Sequence, residues 1–227
     1  MSFAIALFLS SALSSTHAQD LPLARIYTIG QHHGDEAPAK FDQGWLGLIV
    51  KNGKAELKSV RPQVKTVYDQ VLDDINNKQS YSGREISVKG DAPLLLIQMN
   101  SLTPGKVEMA TIEQIENSAT LTFHQQDYVL DHECVKQKAG TKLTPCKIIL
   151  QQGSNKQAIE ENFLYPDGNF TKSVQVVWAG DLDRDGKLDL ILRTNGDNNS
   201  ILMVYLSSMA KGRHMLKKVA SYEIIGC

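Results

Sequence analysis

The chain has 227 residues, with 24 Lys plus Arg against 25 Asp plus Glu and 42% hydrophobic residues. That apolar content is enough for one large β domain or two small ones. A net charge of −1 gives no reason to expect nucleic acid or an anionic membrane surface as a partner.

The chain opens "MSFAIALFLSSALSSTHAQD". Phe3 to Leu9 is apolar but far short of the roughly 20 residues that span a bilayer. Small and hydroxylated residues follow, ending Thr16-His17-Ala18, which reads as a signal peptide over residues 1 to 18, cleaved after Ala18. It departs from the usual pattern in having no Lys or Arg before the apolar core. No later segment is apolar for long enough to be a membrane helix, so the mature chain is expected in the periplasm or secreted. "QHHGDE" (His32, His33, Asp35, Glu36) has metal-binding residue types, but no second ligand group at recognisable spacing. It reads as a polar surface loop.

Strand signals then run almost without a break. "GWLGLIVKNGKAELKSV" has two alternating arms around Asn52-Gly53, a strong hairpin signal. "VKTVYDQVLDDINN" is the helical candidate, because Val64, Val67, Val71 and Ile75 fit a 3.6-residue period. "REISVKG" and "PLLLIQMN" are strand-like, and "VEMATIEQIEN" is a second, less regular helical candidate. A soft boundary near Asn117 divides a β-rich part, residues 19–117, from a second β part, residues 118–227; one continuous unit is the alternative. "TLTFHQQDYVLDHE" and "CKIILQQ" flank the turn-rich "VKQKAGTKLTP", which Cys134 and Cys146 bracket. A hairpin there would bring the two sulfurs together, and closing so short a loop stabilises by roughly 3 kcal/mol. Cys227, the last residue, could pair with one of these, stay free or link chains. "DHEC" (Asp131 to Cys134) reads as polar surface. "SVQVVWAG", "KLDLILRT" and "SILMVYLSS" complete the strands, and "KGRHMLKK" reads as a solvated loop or lysine-guarded edge. Trp45 and Trp178 are core candidates. The fold class is mainly β: antiparallel sheets and hairpins, sandwich-like or incomplete-propeller-like, with one or two short helices.

One stretch carries chemistry. "AGDLDRDGKLDLIL" places Asp181, Asp183, Asp185 and Asp189 within nine residues. The first three alternate, so their carboxylates converge once the backbone curls, and Gly186 permits the sharp turn. Lys187 would then offer its backbone oxygen and Asp189 a fourth carboxylate. Hard oxygen ligands in that number suit Ca²⁺, whereas nitrogen- or sulfur-preferring metals want His or Cys, and Mg²⁺ demands a strict octahedron. An EF-hand needs an acid at position twelve and flanking helices. Here position twelve is Leu192, and both flanks alternate like strands.

"VVWAGDLDRDGKLDLIL" resembles the strand–loop–strand calcium element of FG-GAP and VCBS-type repeats, over about residues 174–206. The resemblance implies Asp181, Asp183, Asp185 and Asp189 as side-chain ligands and Lys187 as a backbone ligand. Relatives of that kind carry several repeats that close a propeller, and this chain has one, so their propeller and ligand surface are not implied. The whole resembles exported bacterial proteins that end in a lone repeat. Binding would fix the turn and set the hairpin register, which makes the ion structural.

Catalytic signatures are scarce. There is no Gly-x-Ser-x-Gly elbow, His-Glu-x-x-His or glycine-rich phosphate loop. Ser208-Met209-Ala210-Lys211 spells Ser-x-x-Lys without its partner motifs and reads as coincidence. The expectation is an exported calcium-binding β protein that is non-enzymatic and binds another protein or a surface glycan. The alternative is an exported hydrolase braced by calcium, with a pocket that holds a histidine, His124 or His132, beside Asp or Ser.

Overall fold

The computed structural model describes residues 23–135, 143–166, 173–196 and 198–225. The expected signal peptide and Cys227 lie outside the described residues, as does most of the loop between the two bracketing cysteines. In chain order the first strands are β1 (Arg25–Tyr27), β2 (Gly30–His32), β3 (Leu46–Lys51), β4 (Lys54–Ser59), β5 (Gln63–Val67), β6 (Gly83–Ser87) and β7 (Leu95–Gln98). Next come β8 (Gly105–Met109), β9 (Thr111–Ile115), β10 (Ser118–Phe123), β11 (Gln126–Cys134), β12 (Leu143–Gln152) and β13 (Asn155–Pro166). The last four are β14 (Ser173–Asp181), β15 (Asp189–Asn195), β16 (Asn199–Leu206) and β17 (Lys217–Ile225). Short 3-10 turns at Gly34–Glu36 and Lys78–Ser80 are the helical elements among the described residues.

The strands form an antiparallel nine-stranded sheet, β1-β7-β3-β4-β8-β14-β15-β16-β17, with a five-stranded sheet β13-β12-β11-β10-β9 and a three-stranded sheet β2-β6-β5. The large sheet curls until its ends meet. The Ala24 N–H, just before β1, donates to the Val219 carbonyl of β17 at 3.2 Å, leaving a nearly closed barrel. Its interior is packed by Leu48, Leu57, Ile97, Trp178, Ile191 and Val204. Both smaller sheets cover the outside. The five-stranded sheet lays Leu121, Leu130, Ile148 and Leu150 on the outward Leu190, Leu192, Met203 and Tyr205, in the manner of a sandwich. The three-stranded sheet sets Ile86 against Leu96 and Trp45.

β15 is therefore buried on both faces. Leu190, Ile191 and Leu192 are all 0% exposed, so this flank, expected to alternate, carries a continuous apolar run after Asp189. A bulge between Val176 and Trp178 shifts the register of β14 and turns the Trp178 ring into the barrel. Trp45 and Trp178 are both core residues, each 1% exposed. The Asn52-Gly53 hairpin forms as expected, with both residues at positive φ (53° and 70°).

The helix expected over residues 64–77 is absent. Val64 and Val67 belong to β5, paired with β6, and Val71 and Ile75 are exposed. Aspartates capture the backbone donors a helix would use. Asp69 Oδ1 accepts the amides of Val71 (2.9 Å) and Leu72 (3.2 Å), Asp73 Oδ2 accepts that of Asp69 (2.8 Å), and Asp74 Oδ1 accepts that of Asn76 (2.9 Å). Such local side-chain capture competes with helix formation. "VEMATIEQIEN" is likewise strand, divided between β8 and β9.

Cys134 and Cys146 are bonded across the β11–β12 pair, with their Cα atoms 4.0 Å apart. No helix among the described residues is long and apolar enough to cross a membrane.

Candidate metal centre

The acidic stretch forms the connection between β14 and β15, antiparallel neighbours in the barrel. Two features hold it in place at its base. Gly180, at φ 156°, lies against β8, where a Cβ would stand 2.0 Å from the Glu108 carbonyl oxygen; only glycine fits that approach. Arg184, at φ 64°, sends its guanidinium away from the loop to donate to the carbonyls of Thr103 (3.0 Å) and Pro104 (3.2 Å). Gly186 (φ 82°) makes the turn at the tip.

Asp181, Asp183 and Asp189 converge, each offering an oxygen within 4.8 Å of the other two. Two ligands on opposite sides of an ion at 2.3–2.6 Å lie about that far apart. Asp189 is fully buried and Asp181 is 6% exposed. Backbone donors pre-orient both. Asp181 accepts the amides of Asp185 (2.9 Å) and Gly186 (2.8 Å). Asp189 accepts those of Leu182 (2.7 Å) and Ser207 (2.8 Å), together with the Ser207 hydroxyl (3.0 Å). One Asp183 oxygen accepts the Ser208 hydroxyl; the other, Oδ1, is buried without a hydrogen-bond partner.

The electrostatics follow from that crowding. Burial, and then the Asp183 charge, push the Asp189 carboxyl up to about 7 against the opposing hydrogen bonds. Burial also pushes Asp183 up, with Asp185 and Asp181 adding to it. Carboxylates that share a site cannot all ionise cheaply without a cation. The donor set is all hard oxygen, which suits Ca²⁺ or another hard cation.

Asp185 and Lys187 stand apart from the convergent group, at the exposed tip. Asp185 accepts the Lys187 amide (2.9 Å) and the Ser207 hydroxyl (3.1 and 3.2 Å). The sequence reading missed Ser207 and Ser208. They follow β16 and lie beside the loop only because β16 pairs with β15; "SSMAK" in isolation carries no sign of that.

The other candidate residues are dispersed. His124 is exposed at the β10–β11 turn, its Nε2 2.6 Å from Glu108 Oε2. His132 lies 3.4 Å from Asp131. His32, expected in a surface loop, is instead 3% exposed. Its Nε2–H donates to the Thr28 carbonyl (3.0 Å), and its Nδ1 accepts the Tyr222 hydroxyl (2.7 Å). Compared with models of known families, with curated proteins and with solved structures, the chain matches none.

Proposed function

We propose that the chain is an exported, non-enzymatic β protein in which the β14–β15 loop binds one structural calcium ion. We read β14, loop and β15 as a lone FG-GAP/VCBS-like unit set into a different barrel. The observation that carries this reading is the convergence of the Asp181, Asp183 and Asp189 carboxylates around a buried, unpartnered Asp183 oxygen. A calcium ion there would offset two of the three charges, give that oxygen a partner, and tie the β14–β15 turn to the end of β16 through Ser207 and Ser208. Asp185 and the Lys187 carbonyl, which stand apart at the exposed tip, would complete the ligand set only if the tip closed over the ion. Export to the periplasm or beyond agrees with the Cys134–Cys146 disulfide, since such bonds persist in oxidising compartments. The partner class is another protein or a surface glycan.

Isothermal titration of the full chain with CaCl₂ and with MgCl₂ tests the reading. One calcium site per chain is expected, with weaker magnesium binding, and it should be abolished in an Asp181→Asn, Asp183→Asn double variant. Calcium binding that survives in this variant would refute the assignment.

A further inference from the structure

The sequence holds two Asn-Gly pairs, Asn52-Gly53 and Asn195-Gly196, and the acidic loop adds an Asp-Gly pair, Asp185-Gly186. In each, the glycine backbone nitrogen is a nucleophile and the side-chain carbonyl carbon before it an electrophile. Glycine has no Cβ to block their approach.

The fold treats the three pairs differently. Asn195-Gly196 is tied at both reacting groups. The Asn195 side-chain amide donates to Ser173 Oγ at 3.0 Å, and the Gly196 N–H donates to the Asn199 carbonyl at 2.7 Å. In Asp185-Gly186 the nitrogen is tied as well, because the Gly186 N–H donates to Asp181 Oδ2 at 2.8 Å. Asn52-Gly53 has neither restraint. Among the described residues the Asn52 carboxamide and the Gly53 N–H have no hydrogen-bond partner. Residues 50 to 54 are all exposed, and a Cβ on Gly53 would meet nothing within 4 Å.

The turn itself imposes one barrier. With both residues at positive φ, 53° and 70°, the Asn52–Gly53 peptide plane must rotate before the nitrogen can reach the side chain. That rotation unpairs Lys51 from Lys54 at the end of the β3–β4 ladder and disturbs no buried side chain, so it belongs to the cheapest class of local opening. At Asn195 the same rotation also breaks the bonds to Ser173 and Asn199.

We infer that Asn52 is a site of spontaneous deamidation, selected over Asn195 by the fold. The Gly53 nitrogen attacks Asn52 Cγ and passes its proton through solvent to Nδ2; the Cγ–Nδ2 bond breaks and ammonia leaves. Water then opens the five-membered imide at either carbonyl, giving aspartate or isoaspartate. The net change takes up one water and releases one ammonia, with no oxidant, reductant or cofactor. Either product sets a carboxylate between Lys51 and Lys54. Isoaspartate also adds a backbone carbon to a turn whose two residues match the twist of the flanking strands.

The test is peptide mapping by mass spectrometry of the full chain, kept folded in mildly alkaline water enriched in heavy oxygen, beside a parallel sample in urea. In the folded chain Asn52 is expected to convert about tenfold faster than Asn195 or more, because two hydrogen bonds restrain the latter. The product should carry heavy oxygen and include isoaspartate. In urea the two rates should converge. Asn52→Gln should abolish isoaspartate in this turn and leave the slower conversion of Asn195 unchanged. The inference is overturned if the folded chain shows no conversion at Asn52, if Asn195 converts as fast in the folded chain, or if the difference persists undiminished in urea.

Discussion

Two aspartate-rich turns in this molecule use the same residue type to opposite ends. In the turn after β5, Asp69 and Asp73 face donors. Burial alone would raise Asp69, but the amides of Val71 and Leu72 and the His33 ring outweigh it and hold the carboxyl below its ordinary range. Asp73 is likewise held low, with the Ser82 and Asp69 amides overcoming its burial. In the turn after β14, Asp183 and Asp189 face each other as well as their donors, and both are pushed up. A count of aspartates does not distinguish the two. What distinguishes them is whether the carboxylates end among amides, which completes them, or converge, which leaves them needing a cation.

Each turn is flanked by a glycine, and the largest expected effect lies there. Gly180→Ala drives a Cβ to 2.0 Å from the Glu108 oxygen at a positive φ, whereas Gly83→Ala meets the Val67 oxygen at 2.9 Å. Urea unfolding should show a loss of about 3 kcal/mol for Gly180→Ala and about 1 kcal/mol for Gly83→Ala. Equal costs would mean that the β14–β15 loop is not pinned by β8.

Removing the donor-completed carboxylate comes next. Asp69→Ala strands the amides of Gly34, Val71 and Leu72 and should cost about 2 kcal/mol, by the same amount in calcium and in chelator. A calcium-dependent cost would erase the distinction between the turns.

Asp183→Asn should change sign with the ion. In chelator it removes a like charge from a crowded group and should stabilise by about 1 kcal/mol, the scale of two charges a few Å apart. In calcium it should destabilise. Destabilisation in both conditions would assign Asp183 to hydrogen bonding with Ser208 alone.

The smallest effect is in pH. Burial holds the His32 ring below its ordinary 6.5, so the unfolded chain takes up a proton that the folded chain refuses. That contribution is complete above pH 6.5 and is lost as the pH falls below it. Asp69, held below 3.8, contributes above that value and loses its contribution only in stronger acid. In chelated protein Asp189, pushed up to about 7, works the other way and adds stability as the pH falls below that value, so the His32 step should appear as a difference: below pH 6.5 the wild-type chain should lose stability relative to a His32→Gln variant.

Much of the architecture was legible because it is written locally. The Asn52-Gly53 turn, the Cys134–Cys146 bracket and the strand–loop–strand form of the acidic stretch each depend on neighbours in sequence. The turn after β5 was misread for a physical reason: Val64, Val67, Val71 and Ile75 keep helical spacing, but Asp69, Asp73 and Asp74 take the amides first. Barrel closure depends on Ala24 meeting Val219, and the lining of the candidate metal centre depends on Ser207 and Ser208, which follow β16. His32 finds Tyr222 across 190 positions. Contacts of that range leave no mark on any single stretch.

The most direct test of the central claim is thermal unfolding of the wild-type chain in millimolar calcium, in magnesium and in chelator. Calcium at about 100 times its dissociation constant should add about 2.7 kcal/mol, a rise of about 5–10 °C for a chain of this size, and magnesium should give little. A melting temperature that is the same in calcium and in chelator would contradict the account and leave the β14–β15 loop an acidic turn without an ion.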